Sequence, residues 1–381
     1  MREVVVAGVG LSKFDSYDGE KGRPYRDIYD FGGEAIRNAL KDADMGWKDI
    51  QAAFCGSTYQ GTGSGHQVTA EIGVTGIPIV NVENACSSGG SAFRLAYQEV
   101  AAGIYDIVLA SGFEKMPRGL LPTTAWREWE MKMAFNIQPA VYALVAQRQM
   151  VDYGHTLEQF ALVTVKNRKN GTLNPYARFQ KEVTLEEVIN SRMICKPLRL
   201  LNCCPLADGG SAAILCSLDK LKSKSRKVMV AAATLTSEMY GVVRGGGSVK
   251  IHNPTRTENA ARQAYEISGY GPEDMDVVQA YDTMSPNELK VIPELGFCQK
   301  EDAGHLLEEG VFDLNGRLPI NTDGGLMARG HPLGATSLAQ VAEIVWQLRG
   351  EAGPRQVPGA KIGLSHCMGA GPNCTVIILK R

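Results

Sequence analysis

Apolar and polar positions fall into short blocks along the chain. Residues 4–8 (VVVAG) are continuously apolar, the pattern of a strand buried on both faces. A helical pattern follows near 27–44, then a strand near 51–56. The same order returns at Val228, with VMVAAAT, a helix near 258–268 and a strand near 276–281. The two helices superpose without a gap at an offset of 225. Ala35 meets Ala260, Arg37 meets Arg262, Ala39 meets Ala264, Gly46 meets Gly271 and Asp49 meets Asp274. Identities at one offset within matching strand–helix–strand blocks point to internal duplication.

Each half continues with a second strand–turn–helix. IPIVNVENA leads to Cys86 and then SSGGSAFRLAYQEVAAG; GGLMARG leads to His331 and then PLGATSLAQVAEIVWQL. At an offset of 245, Cys86 meets His331 and Gly89 meets Gly334, so a cysteine and a histidine occupy equivalent places before a helix. A third unit pairs DIVLASGFE with KIGLSHCMG, the latter followed by a turn and the strand CTVIILKR. Between the halves, helical patterns such as AVYALVAQRQM and TLEEVINSRM interrupt the first half, which resumes at LADGGSAAILCS. The expected division is an N-terminal half of residues 1–114 plus 200–226, an inserted loop domain of 115–199 covering the active site, and a C-terminal half of 227–381. The class is α/β.

Composition narrows the function. Forty basic and 41 acidic residues give a net charge of −1, without the basic stripe of a nucleic-acid binder. No apolar run reaches the ~18 residues of a membrane span. MREVVVAGVG enters a strand directly and does not read as a signal peptide. Nine cysteines, an odd number with no C-x-x-C pair, suggest reduced thiols, a cytoplasmic protein and no metal site. The 42 glycines among 381 residues imply many turns and close backbone approaches.

Three places could carry chemistry. Cys86, in ENACSSGG, stands at the start of a helix, where backbone N–H groups and the helix dipole favour thiolate; the alternative is a cysteine packed beside a tight turn. His331, in GHPLGA, is either its symmetric partner or a helix cap. In SHCMGAG, His366 and Cys367 meet a glycine turn, and His366 is expected, with Gly369, in the oxyanion or substrate pocket. A thiol there could exchange protons with a ligand, while Gly369 and Gly371 free N–H groups for an oxyanion.

ENACSSGG, GGLMARGHPLGA and HCMGAG, in this order and spacing, resemble the thiolase family over nearly the whole chain. The style, with GFCQKED and His366 before the last motif cysteine, is most similar to the sterol-carrier-protein type and archaeal thiolases. The resemblance extends to catabolic subunits of the benzoylsuccinyl-CoA type. It implies a five-layered α/β/α/β/α fold with duplicated halves, and ping-pong acyl transfer. Cys86 becomes the nucleophile that carries the acyl thioester, His331 its activator and Cys367 the acid–base group. The N–H groups of Cys86 and Gly369 match an oxyanion hole. Thiolysis moves protons on both sides of one carbon–carbon bond, which calls for two thiols in unlike environments.

One block departs from the family pattern. Where thiolases carry Asn-Glu or His-Asp, this chain reads YDTMSPNEL. Tyr281 there is either an oxyanion donor or the wall of a reshaped pocket; the resemblance implies a 3-oxoacyl-CoA bulkier than acetoacetyl-CoA, of the kind that includes aromatic esters. The family also implies coenzyme A as substrate with no other cofactor, a homodimer or tetramer, and in some members a small zinc-ribbon/OB-fold partner. The competing readings are a ketoacyl or hydroxymethylglutaryl-CoA synthase, which Cys367 disfavours, and a non-catalytic acyl-CoA-binding subunit, which would need none of the three residues.

Overall fold

The computed structural model describes residues 2–119, 121, 127–134, 136–239, 254–370 and 372–381. The first half contains β1 (Val4–Leu11), α1 (Ile28–Ala43), β2 (Ala52–Gly56), α2 (Ser64–Ala70), β3 (Ile79–Val82), α3 (Ser88–Ala102) and β4 (Ile107–Glu114). Then come α4 (Glu128–Lys132), α5 (Gln138–Tyr153), α6 (Leu157–Gly171), α7 (Leu185–Asn190) and the small hairpin β5 (Met193–Cys195) and β6 (Leu198–Arg199). β7 (Gly209–Ser217) returns to the large sheet. The chain continues through β8 (Met229–Ser237), α8 (Arg256–Ser268), β9 (Val277–Gln279), α9 (Ser285–Glu294) and α10 (Ala303–Glu308). α11 (Gly325–Arg329), α12 (Leu333–Arg349), β10 (Ile362–Gly369) and β11 (Asn373–Lys380) complete it.

Nine strands form one sheet in the order β3-β2-β4-β7-β1-β8-β11-β10-β9. β1 and β8 meet at its middle through the pair Val5–Met229. Outward from this seam the pairings match in direction: antiparallel, antiparallel, then parallel on each side. The first half adds β3 in parallel, and Ile320 bridges Val278 in parallel at the corresponding place in the second. The repeated Gly and Asp do the same work in both halves. Gly46 N–H donates to Asp49 Oδ2 at 2.8 Å, and Gly271 N–H donates to Asp274 Oδ2 at 2.8 Å.

α3 and α12 pack against each other and against strands of both half-sheets, α1 lies against β1 and β7, and α8 against β8 and β11. This makes five layers, α/β/α/β/α, with α3 and α12 as the central one. α12 has no polar face to show: every residue but Trp346 is buried. Small residues let the layers touch at the active end of the central helices. A methyl added at Gly89 of α3 would lie 2.6 Å from Gly334 O of α12. The two glycines that match at offset 245 are thus in contact across the pseudo-twofold axis.

Candidate active site

Cys86 does not sit on a continuous strand-to-helix elbow. β3 ends at Val82, and Cys86 is the middle residue of a 3₁₀ turn, Ala85–Ser87, that runs into α3. Ala85 carries the strain of the turn, with φ of 49°, a conformation that costs a non-glycine residue about 1–3 kcal/mol. Hydrogen bonds hold it there: Ala85 N–H donates to Glu83 Oε1 at 2.7 Å, and Ser88 Oγ donates to Ala85 O at 2.6 Å.

The second cysteine arrives from the other half. Cys367 lies in β10, two residues before its end, and its Sγ donates to Cys86 O at 3.1 Å. Ser87 Oγ donates to Cys367 O at 3.1 Å and Ser337 Oγ of α12 donates to Cys86 O at 3.2 Å. Both thiols are buried. Burial pushes Cys86 up to about 11, against a hydrogen bond from Tyr281 and the N–H groups of Ala370 and Cys86 itself. Desolvation pushes Cys367 up as well, reinforced by the neighbouring Cys86. The expectation of a thiolate favoured by the helix start is therefore not met at rest: loss of hydration outweighs the N–H donors, and the resting group is a thiol.

His331 stands two residues before α12. Its Nδ1 lies 2.7 Å from Thr336 Oγ1, whose own proton goes to Pro332 O at 2.8 Å. Thr336 can then only accept, so Nδ1 carries the proton and Nε2 is bare. Tyr281 Oη lies 3.1 Å from that Nε2, and the two rings meet edge to face at 5.5 Å. Burial, followed by the charge of Arg329, lowers His331 to about 3, so the ring is neutral.

His366 is placed differently from the pocket position read from the sequence. Successive strand residues face opposite sides, and with Cys367 toward the site, His366 points behind it. Its Nε2 is 3.2 Å from Thr257 Oγ1 of α8, and its Nδ1 accepts from Tyr281 N–H at 3.4 Å. It holds the main chain of Tyr281 rather than contacting a sulfur. Gly369 ends β10 tightly packed against Asn84 and Asn373, and the N–H turned to the Cys86 sulfur is that of the next residue, Ala370. Gly371 and the GGGS run at 245–248 lie outside the described residues.

Other residues join the site without a motif to announce them. Glu114, fully buried at the end of β4, accepts from Thr58 N–H and Gly334 N–H at 2.9 Å and from Tyr59 N–H at 2.8 Å. It ties the 57–60 loop to the first turn of α12. Tyr142 of α5 lies near Cys86, Cys204 and Cys367, and burial pushes its hydroxyl up. Met116, Met284 and Met368 belong with Tyr142, Cys86 and Cys367 to one apolar cluster. A lone acid after an apolar strand and a tyrosine in a helix are ordinary in sequence; only the topology brings them here. Among the described residues no group of three or more His, Cys, Asp or Glu is arranged to hold a metal, and no helix is long and apolar enough to cross a membrane.

Residues 4–219 match the family model described as thiolase, N-terminal domain, and residues 249–381 match the model described as thiolase C-terminal domain-like. The chain is 39% identical to acetyl-CoA acetyltransferase of Methanothermobacter thermautotrophicus, over 100% of both chains. It is 36% identical to benzoylsuccinyl-CoA thiolase subunit BbsB of Thauera aromatica, covering 97% of this chain and 95% of that one. Among solved structures, an Ltp2-ChsH2(DUF35) aldolase superposes at a TM-score of 0.87 with 26% identity, covering 99% of this chain and 98% of that chain.

Proposed function

The chain belongs to the thiolase family as an acyltransferase, and from that premise we propose that it cleaves a 3-oxoacyl-CoA with coenzyme A, or runs the reverse Claisen condensation, through an acyl thioester on Cys86. The observation that supports this best is the pairing of two thiols from opposite halves, Cys367 Sγ lying 3.1 Å from Cys86 O, with His331 3.1 Å from Tyr281, a member of the same apolar cluster as the two thiols.

In the cleavage direction the Cys86 sulfur attacks the 3-oxo carbon and its proton passes to His331. The bond between C2 and C3 breaks, and its electron pair takes a proton from Cys367 Sγ, releasing the CoA ester that keeps C1 and C2 and leaving the shortened acyl group on Cys86. Coenzyme A then attacks the Cys86 thioester, and its thiol proton returns to Cys367. His331 gives its proton back to the departing Cys86 sulfur. N–H groups of Cys86 and of the chain at Gly369 and Ala370 face the developing oxyanion. A second cysteine in this position separates the reading from a condensing synthase, and the complete set separates it from a binding subunit.

The acyl group is bulkier than acetoacetyl. Tyr142, with Met116 and Met284 of the apolar cluster that holds the cysteines, supports an adaptable apolar wall, suited to an aromatic or branched acyl chain. A relative described as a subunit and a structural neighbour solved with a DUF35 chain support a small partner protein. The protein works as a homo-oligomer in the cytoplasm. The test is CoA-dependent cleavage of a panel of 3-oxoacyl-CoA esters, alone and with candidate partners. Aromatic or branched esters should be cleaved faster than acetoacetyl-CoA, and the reverse order would overturn the size assignment.

A further inference from the structure

Glu114 ends β4 fully buried, and four N–H groups surround its carboxyl. Oε1 accepts from Tyr59 N–H at 2.8 Å and from Gln60 Nε2 at 2.6 Å; Oε2 accepts from Thr58 N–H and Gly334 N–H, both at 2.9 Å. Three of these donors belong to the 57–60 loop of the first half. The fourth belongs to the first turn of α12, in the second half. Burying a carboxyl costs more than burying an amide, and here burial pushes the group up to about 7. An amide would bring one acceptor atom to these four donors, whereas a carboxyl brings two.

Each side of this junction leads to a reacting group. On the loop side, Thr58 Oγ1 donates at 3.3 Å to the carbonyl of Ala85, the residue with φ of 49° that precedes Cys86. On the helix side, α12 begins without a side-chain cap, because Pro332 stands in the N-cap position. The first N–H groups of a helix need acceptors from outside it, and Glu114 supplies one to Gly334 from the other half. Only Pro332 and Leu333 separate that residue from His331. The His331 ring is tied to the same stretch, its Nδ1 lying 2.7 Å from Thr336 Oγ1. Ser337 of α12 in turn donates to Cys86 O at 3.2 Å. The turn that carries Cys86 and the turn that carries His331 are therefore both fixed to one carboxyl.

We propose that Glu114 is a positioning residue that sets the distance and angle between the Cys86 sulfur and the His331 ring for acylation. This rests on the reading of Cys86 as nucleophile and His331 as its base. Glu114 exchanges no proton in the reaction and acts only through Thr58 and Gly334. Since its carboxyl is committed to protein N–H groups, its loss falls on the bond-making step rather than on binding of the ester.

Glu114→Gln keeps the shape of the side chain but turns an NH2 group toward two of the four donors. Single-turnover acylation by acyl-CoA should slow ~10–100-fold, as misplacement on the order of 1 Å would cause, with KM for the ester changed less than about threefold. A loss lying chiefly in KM, or an acylation rate within about threefold of the parent, would overturn the proposal. Thr58 supplies a second pair of variants that leaves the carboxyl and its four donors in place. Thr58→Val removes the hydroxyl that reaches Ala85 O and should slow acylation ~3–10-fold, the worth of one hydrogen bond. Thr58→Ser keeps that hydroxyl and should restore the parental rate; equal rates in the two variants would overturn the proposal. Cys86→Ala in parallel reports on the premise. An acyl group found on that variant removes the nucleophile, and the proposal with it. No acyl group there, together with Glu114→Gln as fast as the parent, removes the positioning role alone.

Discussion

Replacing Gly334 by alanine places one methyl at the contact between the halves. That methyl would lie 2.6 Å from Gly56 O, 2.6 Å from Phe113 O and 2.9 Å from Ser57 Cα. All three are backbone atoms at the ends of β2 and β4, and none can rotate away. Ordinary contact begins at about 3.5 Å, so α12 must withdraw by roughly 0.8 Å. Behind it the helix is buried on every side. Overpacking costs about 1–3 kcal/mol. Weakening the 2.9 Å bond from Gly334 N–H to Glu114, whose carboxyl burial pushes up to about 7, adds about 0.5–1.5 kcal/mol. Better helix propensity returns about 1 kcal/mol. The net loss is about 0.5–3.5 kcal/mol. At about 2.1 cal/mol/K per residue, this lowers Tm by roughly 1–4 °C. The same withdrawal moves His331 away from Tyr281 and Cys86, and misplacement on the order of 1 Å costs up to ~100-fold in rate. Thermal unfolding and single-turnover acylation measure the two effects. Gly46→Ala is the control, because its nearest atom would be Asp49 Oδ2 at 3.8 Å. A Gly334→Ala protein as stable and as fast as the parent would refute the reasoning.

Two further outcomes follow from buried groups. Burial lowers both His331 and His366 to about 3, below the value of about 6.5 in the unfolded chain. The unfolded state then binds more protons between pH 3 and 6.5, so these residues make stability fall as pH drops through that window, by up to ~1.4 kcal/mol per pH unit each. Urea midpoints for the parent and His366→Gln should diverge in slope by about one proton across it, and parallel slopes would contradict the burial of a neutral ring. Cys367→Ala should still take an acyl group on Cys86 but lose carbon–carbon cleavage and condensation by ~100-fold or more. Full turnover in that variant would assign the acid–base role elsewhere.

Much of the scaffold was legible because burial writes itself into the sequence. The apolar blocks at VVVAG and VMVAAAT became β1 and β8, and the Gly46/Gly271 and Asp49/Asp274 identities became matching turn caps. Glycine abundance acquired a location at Gly89 and Gly334, where two central helices touch. Local pattern does not show which way a strand residue faces while the neighbouring layers are unknown, so the motif alone cannot distinguish His366 in the pocket from His366 behind the strand. It also could not weigh desolvation against a helix start at Cys86, because that balance depends on what α5 and the second half lay over the sulfur. Glu114, Tyr142, Thr336 and Ala370 reach the site from distant parts of the chain and carry no local signature.

The most direct measurement is the intact mass of the protein after exposure to a 3-oxoacyl-CoA substrate without free coenzyme A. One acyl group should appear per chain, on the peptide bearing Cys86, and disappear on addition of coenzyme A; Cys86→Ala should show none. An acyl group retained by Cys86→Ala, or turnover of native protein with no acyl group ever found on Cys86, would contradict the covalent mechanism.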